Sequence, residues 1–344
     1  MEIYKELVVI RNLMLLMVGI VALFLMKTLS GLILPLFLAL ILSIIYLPLV
    51  LYLEGRRIPG KIIVPFIAIF TVAVIYSVAN IFIATITDIV GQMDFFVEKL
   101  TEKFLLMSTV LSEIPYLNLN TDILLEGLNS LLNKDILTSS ASSLLKGVGN
   151  FGSSFLMFTL YFLFLLPGLS HYQNYVRYVG GNNLSLLDDI ETLLKNVSTY
   201  MGIKMILSLT TGIIAGFLCK FMGLKFAFFW GFLTFILNFI PSIGSIIATL
   251  IPSLFGLIQF DSFKHIIIMF MLLFINQIII GNFIDPKIMG NRLRLNTVTV
   301  LFGLVFWGVI WGIPGMLMSV PLMVTLKLLL EKSHSWSPKC PKSI

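Results

Sequence analysis

Apolar residues fill this chain in runs of about 20 positions, with polar residues confined to short intervals between them. A run of that length suits a helix crossing a hydrocarbon core of about 30 Å at 1.5 Å per residue. The pattern predicts six whole spans, at about Leu13–Met26, Leu29–Leu53, Ile62–Thr85, Phe151–Leu166, Met205–Phe221 and His265–Ile284. Two further apolar segments, Phe226–Ile258 and Thr297–Leu330, are longer and are interrupted near their middles.

Between the third and fourth spans the period changes. From Thr87 to Lys146 charges, Asn and Ser return, while Phe95, Phe96, Leu100, Phe104 and Leu111 recur at helical spacing. This predicts a small helical module outside the membrane whose first helix continues directly from the third span. A second amphipathic stretch, Ser185–Tyr200, aligns Leu186, Leu187, Ile190, Leu193, Leu194 and Val197 on one face, as an interfacial helix would. The organisation expected is spans one to three over 1–86, the extramembrane module over 87–148, the fourth span with a cytoplasmic amphipathic helix over 149–204, a core over 205–332 and a tail over 333–344.

The two interrupted segments share one plan. Phe226–Ile258 breaks at NFIPSIG, Asn238–Gly244, and again at Pro252; Thr297–Leu330 breaks at WGIPG, Trp311–Gly315, and again at Pro321. Each follows a whole span and a short loop carrying bases, so the pair has the form of an internal repeat. Proline removes a backbone donor and clashes with the preceding turn, and glycine permits the conformations of a tight reversal. Each segment is therefore expected to be a re-entrant helical hairpin, or else a span kinked at proline. With hairpins the two repeats are inverted, and irregular backbone at membrane depth must be buried in protein or line a polar cavity. Two opposed tips then place a solute site between them.

Composition fixes the solvent. Hydrophobic residues make up 58% of the chain against 12% charged, which excludes a soluble domain and implies a lipid bilayer as partner. The net charge of +6 sits in loops such as Glu54–Lys61, with three bases and one acid, which is the pattern of cytoplasmic retention and not a nucleic-acid footprint. The N-terminus, with Lys5 and Arg11 ahead of the first run, reads as a retained span. Both termini are expected in the cytoplasm, and the module of 88–146, with eight acids and four bases, on the outside. Lys287, Arg292, Arg294, Lys332, Lys339 and Lys342 then fall inside; Lys220 and Lys225 are exceptions. Cys219 and Cys340 offer no disulfide framework or metal knuckle. His171, His265 and His334 have no ligand spacing, and no protease, zinc or nucleotide motif occurs, so no catalytic residue, metal or cofactor is expected.

The candidate solute contacts are Asn238, Pro241 and Gly244 at the first tip, Asn276, Gln277 and Asn282 on the sixth whole span, Asp285 at its end, and Gly312, Pro314 and Gly315 at the second tip. Amides offer donors and acceptors to a neutral polyol, or oxygen to a cation; equally, amides serve as glue between helices. Asp285 is the only acid between His265 and Leu330, and an ionisable group beside a membrane path is a functional candidate, or else a partner of Arg292 or Arg294. Lys204 is expected to snorkel to the interface.

Three motifs occur in order: LNFIPSIGSIIATLIP at Leu237–Pro252, NFIDPKIMGNRLRLN at Asn282–Asn296 and WGIPGMLMSVPL at Trp311–Leu322, with YMGIKM at Tyr200–Met205 upstream. Together they resemble the autoinducer-2 exporter family, best over Leu186–Leu330. The resemblance implies an all-α polytopic membrane protein, a bacterial inner-membrane permease with about eight membrane segments, and a homo-oligomer that in some relatives is a ring of five. It also implies either export of a small polar solute or signal, or antiport of sodium or lithium against protons. A non-transporting scaffold or sensor is the alternative from another class, though one that does not require paired broken segments.

Overall fold

The computed structural model describes residues 2–112, 152–169, 171–172, 184–289 and 296–335, and among them helix is the only regular structure. The helices are α1 (Glu2–Thr28), α2 (Ser30–Gly55), α3 (Gly60–Gly91), α4 (Met93–Ser112), α5 (Gly152–Leu169), α6 (Leu184–Phe221), α7 (Ala227–Leu237), α8 (Ile243–Gln259), α9 (Phe263–Gln277), α10 (Asp285–Met289) and α11 (Thr297–Ser335). A π-helical turn, Ile278–Ile284, joins α9 to α10. By length and composition seven of the helical stretches could cross a membrane, α11 being counted as one although it is broken at Gly312, and α7 and α8 are shorter apolar helices. The chain is an all-α polytopic membrane protein.

The interrupted segments are hairpins. At 11 and 17 residues, α7 and α8 reach only about 16 and 25 Å, less than a hydrocarbon core. They lie antiparallel: Trp230 meets Phe255 at 5.2 Å, and Leu237 shares a cluster with Ala248. Helix α11 breaks at Gly312 (φ 65°, ψ −144°), dividing it into arms at 297–311 and 313–335. The arms also run antiparallel, because Gly308 faces Met316 and Gly303 faces Met323. Pro252 and Pro321 are accommodated inside helices and make no second break.

Two expectations are corrected. The amphipathic stretch at Ser185–Tyr200 is not a separate interfacial helix; it forms one helix with the fifth span, and Leu194, Val197 and Met201 are buried against Ile41, Ile44 and Leu47 of α2 and Met318 of α11. Protein, not the bilayer surface, covers these three residues. In addition, the helix after the third span does not run on directly, since a turn at Gln92 separates α3 from α4. Residues 113–148 of the predicted outer module, together with Arg292, Arg294 and the tail from 336, lie outside the described residues.

Close approach of α6 to α7 depends on the absence of side chains. A Cβ on Gly212 would stand 2.7 Å from both the Gly231 carbonyl and Phe235 Cβ. Small residues let two backbones pack this tightly where no hydrophobic effect drives helices together.

At the other end of the first hairpin, α4 lies across the C-terminus of α8. Lys103 donates to the carbonyls of Leu257 and Phe260 and stands 3.5 Å from Asp261, while buried Phe96 packs edge-on against Phe255. The last carbonyls of a helix have no intrahelical partner, so a cation there satisfies both hydrogen bonding and the helix dipole. Lys225 stands over the Phe95 ring, and Gln259 brackets the α6–α7 loop through Lys225 N and Gly223 O. Lys103→Ala is expected to loosen this end by about 1.5–3 kcal/mol, the range for hydrogen bonds to a charged group. Hydrogen exchange at 257–265 should rise while α2 and α5 stay protected.

Candidate solute path

The first tip is built on a strained turn. Ile243 N–H donates to Pro241 O at 2.6 Å around Ser242, whose φ of 59° and ψ of −55° belong to a γ-turn that non-glycine residues rarely adopt. The chain then doubles back so closely that a Cβ on Gly244 would fall inside the van der Waals radius of the Leu237 carbonyl. The second tip repeats the device: Gly312 supplies the positive φ, and a Cβ on Gly315 would collide with the Trp307 carbonyl. Trp311 fixes this tip by donating from Nε1 to Met26 O, at the end of α1, at 2.9 Å.

The two hairpins meet. Leu237, Ile240 and Ala248 of the first form one buried cluster with Leu304 of the second, flanked by Met316 and Leu317. Beside that junction the core turns polar. Ala215, Trp230 and Leu273 share an apolar cluster, and one helical turn deeper on the same three helices stand Thr211, Thr234 and Gln277. Asn238 Nδ2 donates to Ser208 Oγ at 3.1 Å, and Asn276 Nδ2 donates to the Thr211 carbonyl at 3.2 Å. All six of these polar residues are at least nine-tenths buried. Protein takes a donor from each Asn amide, while Thr234 Oγ1 and Gln277 Oε1 are buried and unpartnered. An unmet buried polar atom costs about 1–3 kcal/mol, so the layer is chemically suited to a guest that brings hydrogen-bond donors.

Asp285 belongs to a second polar contact. Its Oδ2 accepts from Lys204 Nζ at 2.8 Å, with side-chain exposures of 19% and 9%. Lys204 therefore does not snorkel to the interface, because a carboxylate within reach keeps it inside the protein. The pair ties α6 to the helix that follows the π-turn, whose wider winding changes the face on which Asp285 emerges. No sequence signal marks seven π-helical residues, and none marks Lys204 as a functional candidate, because its partner lies 81 residues away.

The structure thus brings Asn238, Asn276 and Gln277 into one layer and sets Pro241 and Gly244, and Gly312, Pro314 and Gly315, at the two tips. Asn282 is exposed on the π-turn and stands apart from them. Among the described residues no cluster of three or more His, Cys, Asp or Glu is placed to hold a metal.

Membrane-spanning helices, two helical hairpins in contact and a buried polar layer beside that contact define a polytopic protein of the transporter class. The chain belongs to the AI-2E transporter family, whose sequence profile matches residues 13–334. It is 27% identical to YhhT of Escherichia coli strain K12 over 308 residues, covering 90% of this chain and 86% of that protein. It is also 27% identical over 310 residues to the AI-2 transport protein TqsA of the same strain, covering 83% of this chain and 90% of TqsA. A Haemophilus influenzae relative is 28% identical over 317 residues, covering 89% and 88%. Membership makes this a multi-pass membrane transport protein.

Proposed function

We propose that the chain is a secondary transporter that exports a small polar solute by alternating access, with the junction of the two hairpins as its path. The observation that carries this reading is the buried polar layer with two unpartnered oxygens beside the contact between the two hairpins. Helical breaks at membrane depth are sustained only where protein or a polar cavity receives the freed backbone groups. In this reading both hairpins are re-entrant, the protein lies in the bacterial inner membrane with both termini in the cytoplasm, and it works as a homo-oligomer, up to a ring of five. Hydroxyl donors of a polyol-like solute match the free oxygens, and autoinducer-2, the solute in TqsA's name, is the first to test. Antiport of sodium or lithium has less support, because Lys204 already occupies the one carboxylate that would hold the cation.

Transport into proteoliposomes holding this protein alone separates the readings. Autoinducer-2 flux without sodium-driven proton movement, reduced about tenfold or more in Gln277→Leu and Pro241→Ala, is the expected result; a tenfold change corresponds to about 1.4 kcal/mol. Cation exchange abolished by Asp285→Asn would instead establish antiport, and no flux of either kind would return the chain to a scaffold role.

A further inference from the structure

Spans α3 and α5 enclose a groove that the transport path does not use. Ala68, Val72, Ala73 and Tyr76 on α3, with Phe155 and Leu163 on α5, line a space of about 360 Å³ whose walls are apolar. Thr159 lies in the same wall, but its hydroxyl donates to its own helix at Phe155 O, 2.8 Å away, and asks nothing of an occupant. The groove opens sideways between two membrane spans, so the medium that bathes it is lipid.

The polar end of the same two spans carries unbalanced charge. Arg56, Arg57 and Lys61 are all exposed, and among the described residues none of them has a carboxylate partner. Arg56 leans over Tyr52, its guanidinium 5.0 Å from the ring centroid. The registers agree. Tyr76 pairs with Phe155 at 6.4 Å, and the two helices are antiparallel, so the Lys61 end of α3 stands beside the Leu169 end of α5. Ala68 lies about 10 Å below Lys61 along the helix, and Tyr76 about 22 Å below it. A fatty acyl chain descending from a head group at the basic loop would occupy that interval.

We propose that this groove seats an acyl chain of an anionic phospholipid whose head group is held by Arg56, Arg57 and Lys61. Bases clustered just outside a membrane span attract anionic head groups, and a groove below them adds shape selectivity to that attraction. Charge and shape together pick the occupant: exposed bases with no carboxylate partner among the described residues, above an apolar groove, call for a molecule with an anionic head and an apolar chain, which an anionic phospholipid is.

The test uses the full-length protein in detergent, titrated with phosphatidylglycerol or phosphatidylcholine of identical acyl chains, with bound lipid counted by native mass spectrometry. The wild type should retain phosphatidylglycerol in clear preference to phosphatidylcholine. Arg56→Gln/Arg57→Gln/Lys61→Gln, three exposed changes that leave the core intact, should reduce that preference on the order of a hundredfold, since each base near an anionic surface contributes roughly 1 kcal/mol. Ala73→Phe, which fills the groove from an exposed position, should lose the bound lipid with an unchanged unfolding temperature. Equal binding of both lipids by the wild type would overturn the proposal, as would wild-type retention in Ala73→Phe. A change in oligomer mass in Ala73→Phe with lipid unaffected would give the groove to a second copy and equally overturn it.

Discussion

Gly244→Ala and Gly315→Ala should each strip the protein of most of its folded yield, although each adds a single methyl group. At both positions the added carbon would overlap a main-chain carbonyl, that of Leu237 in one hairpin and Trp307 in the other. A flexible side chain could rotate away; a helical carbonyl cannot. Overpacking of a tight interior costs about 1–3 kcal/mol and occasionally more, and a collision with backbone belongs at the upper end. The measurement is the monodisperse fraction after detergent extraction, with the unfolding temperature of what survives. Gly281→Ala, where nothing lies within 4 Å, is the control and should behave as wild type. Equal tolerance at all three sites would mean that the hairpins are not closed as described.

Breaking the buried ion pair should be the other large effect. Lys204→Met and Asp285→Leu each leave a charge with no partner beside the π-turn, a loss of about 3–5 kcal/mol for a pair this deeply placed. The double replacement should recover most of that loss, since two apolar side chains need no compensation. A double-mutant cycle on thermal unfolding reads the coupling directly. Additive losses in the double variant would show that the two residues act separately, and the 2.8 Å contact would then have no energetic role.

The sequence showed the hairpins more clearly than the polar contacts within them. Proline and glycine at Asn238–Gly244 and Trp311–Gly315 act on their own backbone, so their effect is local and legible in order along the chain. The same holds for the spans, where apolar length alone sets the element. What the sequence could not show depends on partners distant in the chain. Lys204 reads as an interface lysine until the fold brings Asp285 to it, and Lys103 reads as one of several charges on α4 until the end of α8 is placed beneath it. The apolar stripe of Ser185–Tyr200 suits a membrane surface and a neighbouring helix equally well, and only the position of α2 decides between them. Asn238, Asn276 and Gln277 could be chosen as polar residues in apolar surroundings, but periodicity could not show that Asn282, only five residues beyond Gln277, stands apart from the layer.

The most direct test of the central claim, that the hairpin tips face an aqueous path within the membrane, is thiol labelling from each side of sealed, oriented vesicles. Cys219 and Cys340 are replaced first, and single cysteines are introduced at Ser242 and Ile313, both exposed at the tips. A membrane-impermeant maleimide should label each tip, and added solute should change the rate from at least one side. Labelling of both positions only by a lipid-soluble reagent would place the tips in hydrocarbon and contradict the path.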